Sequence, residues 1–328
     1  MIINDDEPYL YNLTLRKQSN YTHACSGSFT LQGSHQVCLA TENSIEIYDL
    51  SEGDLHHRPV VTIDKIDSTI TSICTIPNSN TNSSNNTLSK ILLLTDSGNV
   101  TLLQYDTISN TLKPISIEPL TRSSMRRTAP LSLSAVDPLG RCIFISSLEK
   151  FGYMYTINHT SNSPLSSPVE VIRPGSITLS IVGCSGQVYD NPTFAALEYL
   201  PVPHLTFYSL DLNLNHVIKG KTYPFKKKDP NFLLALPDLS KFDIIESFND
   251  EIEATNPFVI VGFSNHLIIK DMNGLYTVEI PLPHPNGDTN PINIIAADIQ
   301  IIKNKSFFIL LQTNKGDLLK LQLHKNLN

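Results

Sequence analysis

Tryptophan is missing from the 328 residues, cysteine occurs only five times, and positive charge is scarce, at 24 Lys and Arg against 31 Asp and Glu. Nor does any apolar run approach the roughly eighteen residues that a membrane-spanning helix needs. Each shortage removes a class of protein. The cysteines stand at 25, 38, 74, 142 and 184, an odd number with no CxxC and no short spacing. That pattern excludes a disulfide framework and a structural zinc module. A net charge of −7 and a pI near 5.8 give a surface that repels phosphate backbones, so direct nonspecific nucleic-acid binding is not expected. The opening stretch MIINDDEPYLYN is acidic where a secretory signal is basic. No membrane segment is expected, and the expected compartment is a reducing one, cytosol or nucleus. There, N-x-S/T triplets such as Asn99-Val100-Thr101 would carry no glycan.

Helical periodicity is also lacking: apolar residues at i, i+3, i+4 and i+7 are not sustained over three turns anywhere. So are the motifs of catalysis. The sequence has no phosphate-binding glycine loop, no G-x-G-x-x-G after a strand, no G-x-S-x-G elbow and no H-E-x-x-H. His56-His57 is the only adjacent histidine pair, and it sits in EGDLHHRPV without a third ligand at metal-binding spacing. An exposed turn accounts for it. The acid pairs Asp5-Asp6 and Asp250-Glu251 lie in polar sequence and read as solvated loops, although carboxylates from separate units can meet in space. No catalytic, metal or cofactor-binding residue is therefore assigned, and no small-molecule substrate is expected.

What the chain does contain is short runs of Val, Ile, Leu, Thr, Tyr and Phe broken by Gly, Pro, Asn, Asp and Ser, the composition of strands and turns. Six hairpin-like units recur: CLATENSIEIYDL at 38–50, ILLLTDSGNVTLLQYD at 91–106, CIFISSLEKFGYMYTI at 142–157, FAALEYLPVPHLTFYSLDL at 194–212, FVIVGFSNHLIIKDM at 258–272 and FFILLQTNKGDLLKLQL at 307–323. A period near 50 with one hairpin per period marks four-stranded blades, which must stack around an axis because one blade cannot bury both its faces. The expected fold is all-β, a WD-like β-propeller of four-stranded antiparallel blades, occupying 1–328 as a single domain. FLLALP at 232–237 and YTVEIPLP at 276–283 supply the first and last strands of one blade. Lacking tryptophan, the blades cannot carry the usual WD signature, so the class is a divergent one. The sixth hairpin has no evident outer strand after it. Either LYNLTL at 10–15 supplies that strand, or the ring continues in a longer protein; the second is favoured, with about six of seven blades present.

Three further stretches stand out. The tract NSNTNSSNNTLSK at 78–90 has nothing apolar to order it and is expected to be a disordered surface loop. Lys226-Lys227-Lys228 lies between prolines and reads as a solvated turn. Arg126 and Arg127 open the third unit just before a strand, where loops gather on a propeller rim, and they are the candidate partner-contact residues. In D-P-L-G-R at 137–141 proline and glycine spell a tight turn.

Several of these stretches together resemble a known family. LYNLTL at 10–15, MRRTAPLSLSAVDPLGR at 125–141 with ISSLEK at 145–150, LTFYSLDLNLNHVI at 205–218, NFLLALP at 231–237 and FFILLQTNKGDLLKL at 307–321 are similar, in order, to the amino-terminal propeller of the large propeller subunit of splicing factor 3b. The chain departs from the family at Pro130-Leu131 and Pro237-Asp238, where Pro-Gly is usual, and in its Asn-rich tract, an addition typical of yeast-like sequences. The large subunit of the cleavage and polyadenylation specificity factor and the UV-damaged-DNA-binding adaptor of cullin ligases share the architecture more distantly. The resemblance implies a longer parent with three seven-bladed propellers. It further implies a nuclear, non-catalytic scaffold that holds the HEAT-repeat subunit and small subunits of splicing factor 3b and meets nucleic acid mostly through them.

Overall fold

The computed structural model describes residues 20–50, 58–78, 88–120, 133–146, 151–161, 163–172, 176–185, 191–226, 229–242, 256–283, 290–302 and 306–322. Within them the chain forms six antiparallel sheets, the blades of a propeller. Blade one contains β1 (His23–Gly27), β2 (Gln36–Ala40), β3 (Ile45–Asp49) and β4 (Val61–Ile63). Blade two contains β5 (Ile70–Ile76), β6 (Lys90–Thr95), β7 (Asn99–Asp106) and β8 (Thr111–Pro119). In blade three the strands are β9 (Leu133–Val136), β10 (Cys142–Ser146), β11 (Phe151–Thr156) and β12 (Val169–Ile172). Blade four has β13 (Ile177–Cys184), β14 (Thr193–Tyr199), β15 (Pro203–Asp211) and β16 (His216–Pro224). Blade five has β17 (Pro230–Ala235), β18 (Phe258–Phe263), β19 (His266–Asp271) and β20 (Thr277–Pro281). Blade six has three strands, β21 (Ile294–Ile302), β22 (Ser306–Thr313) and β23 (Leu318–Leu321).

Every hairpin expected from the sequence is the second and third strand of its sheet, and every sheet is ordered as the chain runs, from inner strand to outer. The outer strand that looked absent from the sixth unit is absent among the described residues, and LYNLTL lies outside them. One turn of 3-10 helix, Leu239–Lys241, is the only helical element described. Asp238 caps it, its Oδ1 accepting from Ser240 N at 3.1 Å, with φ at −59°. Glycine is therefore not required after Pro237.

The second strands of blades two to five read as nearly unbroken apolar runs because both their faces are covered. Successive side chains of a strand point to opposite faces. In β6, Ile91 and Leu93 pack against blade one while Leu92 and Leu94 pack against blade three, all 4% exposed or less. Each such side chain contributes about 1.5–3 kcal/mol when fully buried. Aromatic contacts join blades three and four, where Phe144 meets Phe194 and Tyr208 edge-on at centroid distances of 5.7 and 5.6 Å.

Five such cores join blade one to two, two to three, three to four, four to five and five to six. Consecutive inner strands touch in the same order, from β1 with β5 through to β17 with β21. Small residues permit this. A Cβ on Gly183 of β13 would stand 2.1 Å from Val136 O on β9. Polar links reinforce it: Ser72 Oγ and Ser134 Oγ lie 2.8 Å apart, Thr75 Oγ1 donates to Ser26 O at 2.7 Å, and Asn231 Nδ2 donates to Asn293 Oδ1 at 3.0 Å. Among the described residues no sixth core joins blade six to blade one.

Candidate interaction surface

The residues singled out from sequence fall mostly elsewhere than the described part of the molecule. Arg126, Arg127, His56, His57, Asp5, Asp6, Asp250, Glu251, Lys227 and Lys228 lie outside the described residues; Lys226 is described and exposed. Of the Asn-rich tract, 79–87 lie outside as well. The tract ends earlier than expected, however. Ser89 N donates to Ser28 O at 2.8 Å and Lys90 is the first residue of β6, so pairing with β5 orders the tail that composition assigned to the loop.

The turn at 137–141 is built as its sequence implies. Gly140 N donates to Asp137 O at 2.7 Å, and Gly140 takes a φ of +69° that only glycine adopts without strain. The turn is clamped by an ion pair: Arg141 Nε and Nη2 donate to Asp137 Oδ2 and Oδ1 at 2.8 and 3.0 Å, with Asp137 almost fully buried. It docks on its neighbours through His159, whose Nε2 donates to Gly140 O at 2.8 Å and whose Nδ1 lies 3.4 Å from the Lys90 ammonium. Burial, foremost, holds the pKa of both His159 and Lys90 below their ordinary values. That pattern fits a neutral imidazole accepting from a lysine.

One feature of the rim went unread in the sequence. The third strands β3, β7, β15 and β19 each end in an aspartate, Asp49, Asp106, Asp211 and Asp271. Three of these carboxylates are seen to hold the turn that follows. Asp106 accepts from Ile108 N at 3.2 Å and Ser109 Oγ at 2.7 Å. Asp211 accepts from Asn213 N and Leu214 N at 2.9 and 3.0 Å, and Asp271 from Asn273 N and Tyr276 N at 3.1 and 2.7 Å. Asn110, Asn215 and Gly274 close the turns with positive φ. The Lys113 ammonium beside Asp106 holds its carboxyl well below the usual carboxylate range. Each fixed turn carries an aliphatic side chain into solvent: Ile108, Leu214 and Leu275 are 95%, 76% and 67% exposed. A recurring aspartate four residues before an asparagine or three before a glycine was the available signal.

A cavity of about 360 Å³ opens on blade four where β14, β15 and β16 meet the segment before β13. Its polar floor comes from register rather than from any motif. Glu198 and His204 are cross-strand partners, Tyr208 OH donates to Glu198 Oε2 at 3.0 Å, and His204 Nε2 lies 3.5 Å from the same oxygen. His204 Nδ1 is 3.0 Å from Val202 O, which fixes that nitrogen as a donor. Glu198 and Tyr208 are each 1% exposed.

Four of the five thiols are held toward the neutral form. Burial pushes Cys74 and Cys142 up, and Cys184 up to about 12. Cys25 and Cys38 face each other across β1 and β2, and their thiol hydrogen bond lowers Cys25 at the expense of Cys38. All five described cysteines are unpaired by disulfides, and no group of three or more His, Cys, Asp or Glu among the described residues is placed to hold a metal ion.

The arrangement is thus a stack of sheets bearing fixed turns. The family model described as the RSE1/DDB1/CPSF1 first beta-propeller matches it over residues 20–328. The chain belongs to that family. Among curated relatives, pre-mRNA-splicing factor RSE1 of Saccharomyces cerevisiae is 37% identical across all of this chain and 26% of its own length. The Candida albicans protein of the same name is 31% identical over 98% of this chain and 25% of its own length. Splicing factor 3B subunit 3 of Drosophila melanogaster is 29% identical over 96% and 26%. The chain therefore spans about a quarter of the length of the relatives it matches. In this chain, which has no tryptophan, the cores are built mainly from aliphatic residues, phenylalanine and tyrosine, as in the contacts of Phe144.

Proposed function

We propose that this propeller is part of a non-catalytic scaffold subunit of splicing factor 3b, acting in pre-mRNA splicing in the nucleus. Within it, the propeller helps hold the HEAT-repeat subunit and small partner subunits during branch-site recognition. The observation that carries the reading is family membership over the chain from residue 20 onward, together with relatives named for pre-mRNA splicing. The physics of the molecule supports it. Blades stacked through continuous cores hold their rim turns still, so a partner docking there loses little conformational entropy. The excess of acid, −7, suits contact with nucleic acid through partners rather than directly.

Affinity purification of the intact parent chain, with its companions identified by mass spectrometry, tests the proposal. Recovery of the HEAT-repeat subunit and small subunits of splicing factor 3b is expected. A cullin, or polyadenylation subunits, in their place would assign the chain to the other branches of its family. Turnover of a glycoside by the purified parent would contradict the scaffold reading outright.

A further inference from the structure

We propose that β16, the outer strand of blade four, accepts an extended acidic segment of a partner protein as a fifth strand, with one side chain of that segment donating a hydrogen bond into the neighbouring cavity. The inference deepens the scaffold reading and rests on it.

The outer edge of a sheet exposes backbone donors and acceptors that seek partners. In this molecule most outer edges are short: β4 has three residues, β12 four, β20 five and β23 four. Strand β8 has nine residues, but Pro114 within it and Pro119 at its end lack the N–H that a neighbour would need. Strand β16 also has nine residues, HVIKGKTYP, and its one proline is the last. It pairs with β15 on one side only. It is therefore the one long outer edge, among the described residues, with a backbone donor at every position before its last, although its register against β15 shifts between Lys219 and Thr222.

Its charge states which chain it takes. Lys219 and Lys221 are exposed on the strand, Lys226 is exposed just beyond it, and the strand contains no acid, in a protein whose net charge is −7. Among the described residues Lys221 reaches only a backbone oxygen, Asn273 O at 3.3 Å. Lysines on an edge repel a second copy of the same edge. An acidic strand meets no such repulsion, so the same residues exclude self-pairing and favour a complementary partner.

The cavity supplies the specificity that backbone pairing lacks. Strand addition gains affinity from main-chain bonds and selectivity from pockets for alternate side chains. Lys219, Thr222 and Pro224 of β16 line the cavity directly, so a strand laid along β16 has side chains at its mouth. Leu200 and Val202, 47% and 40% exposed, form an apolar lip. The floor offers the buried Glu198 carboxylate and Ser176 Oγ, a buried hydroxyl that makes no hydrogen bond among the described residues. A donor-bearing side chain, such as an amide, answers that floor.

The test uses the full-length parent chain and a fluorescein-labelled peptide of about nine residues, the length of β16, alternating glutamate and valine around a central asparagine. Fluorescence anisotropy is expected to show saturable binding, and hydrogen exchange is expected to slow at the amides of 217–223 and not at those of β8. The double variant Lys219→Glu, Lys221→Glu should weaken binding about ten-fold or more, while Lys65→Glu, on an exposed lysine elsewhere, leaves it unchanged. No binding, equal binding of a peptide with lysine in place of glutamate, protection away from β16, or capture of an oligouridylate at the same strand would each overturn the proposal. These outcomes are separable from failure of the scaffold reading, which shows instead as loss of splicing subunits from the purified parent.

Discussion

Single residues decide how closely the blades approach. Gly140 is the clearest case, since its φ of +69° is unfavourable for any L side chain and a Cβ there would lie 2.1 Å from Pro77 O. Gly140→Ala should cost about 2–4 kcal/mol, read as a lower urea midpoint with an unchanged slope. The docked turn also makes stability depend on pH. His159 and His23 both have folded pKa values below the ordinary 6.5, with burial the largest cause. Below pH 6.5 the unfolded chain then binds more protons than the folded one, so stability falls as pH drops through the folded values. The melting temperature should decline on acidification from pH 6.5, and His159→Gln should flatten that decline. A variant that melts with the unaltered pH dependence would show that His159 is not buried neutral. Much at this scale was legible: the D-P-L-G-R turn follows from proline and glycine alone. The Glu198, His204 and Tyr208 cluster was not, because LEYLPVPHLTFY reads as a hairpin, and only strand register brings those side chains onto one floor.

At the scale of elements, the middle strands announced themselves and, apart from β17 with its FLLALP, the inner ones did not. Strands β6, β10, β14 and β18 are buried on both faces or nearly so, β22 is a nearly continuous apolar run buried on one face, and hydrophobicity alone reveals them. Strands β1 and β9, HACSG and LSAV, sit where blades crowd the axis, and their small and polar residues give no strand-like signal. The fixed turns after the third strands were likewise invisible, since an aspartate at a strand end looks like ordinary loop polarity. Their contribution is measurable. Asp271 is fully buried and satisfies two backbone donors, so Asp271→Ala should destabilise the molecule by about 2 kcal/mol. It should also speed hydrogen exchange at residues 272–276 relative to the strands of blade five. Unchanged exchange there would mean that the backbone holds the turn without the carboxylate.

For the whole molecule, the count of cores matters more than the count of blades. Six sheets share five cores, and the outward faces of blades six and one meet no described partner sheet. Phe308 and Leu310 of β22, with Leu318 of β23, stand on that face of blade six, and Leu318 is 67% exposed. A seventh blade, as the family resemblance implies, would cover both flanks. A version of the chain extended by one blade should melt about 5 °C or more above residues 1–328 and stay soluble at higher concentration. Equal melting would mean that six blades suffice. The propeller architecture was readable from a fifty-residue period; how the ring shuts was not, because closure depends on which distant strands pair. What such a ring is for is tested most directly in a splicing extract. Removing the parent chain should abolish intron removal, and returning the purified parent with its companions should restore it. An extract without the parent that still removes introns at the full rate would contradict the account.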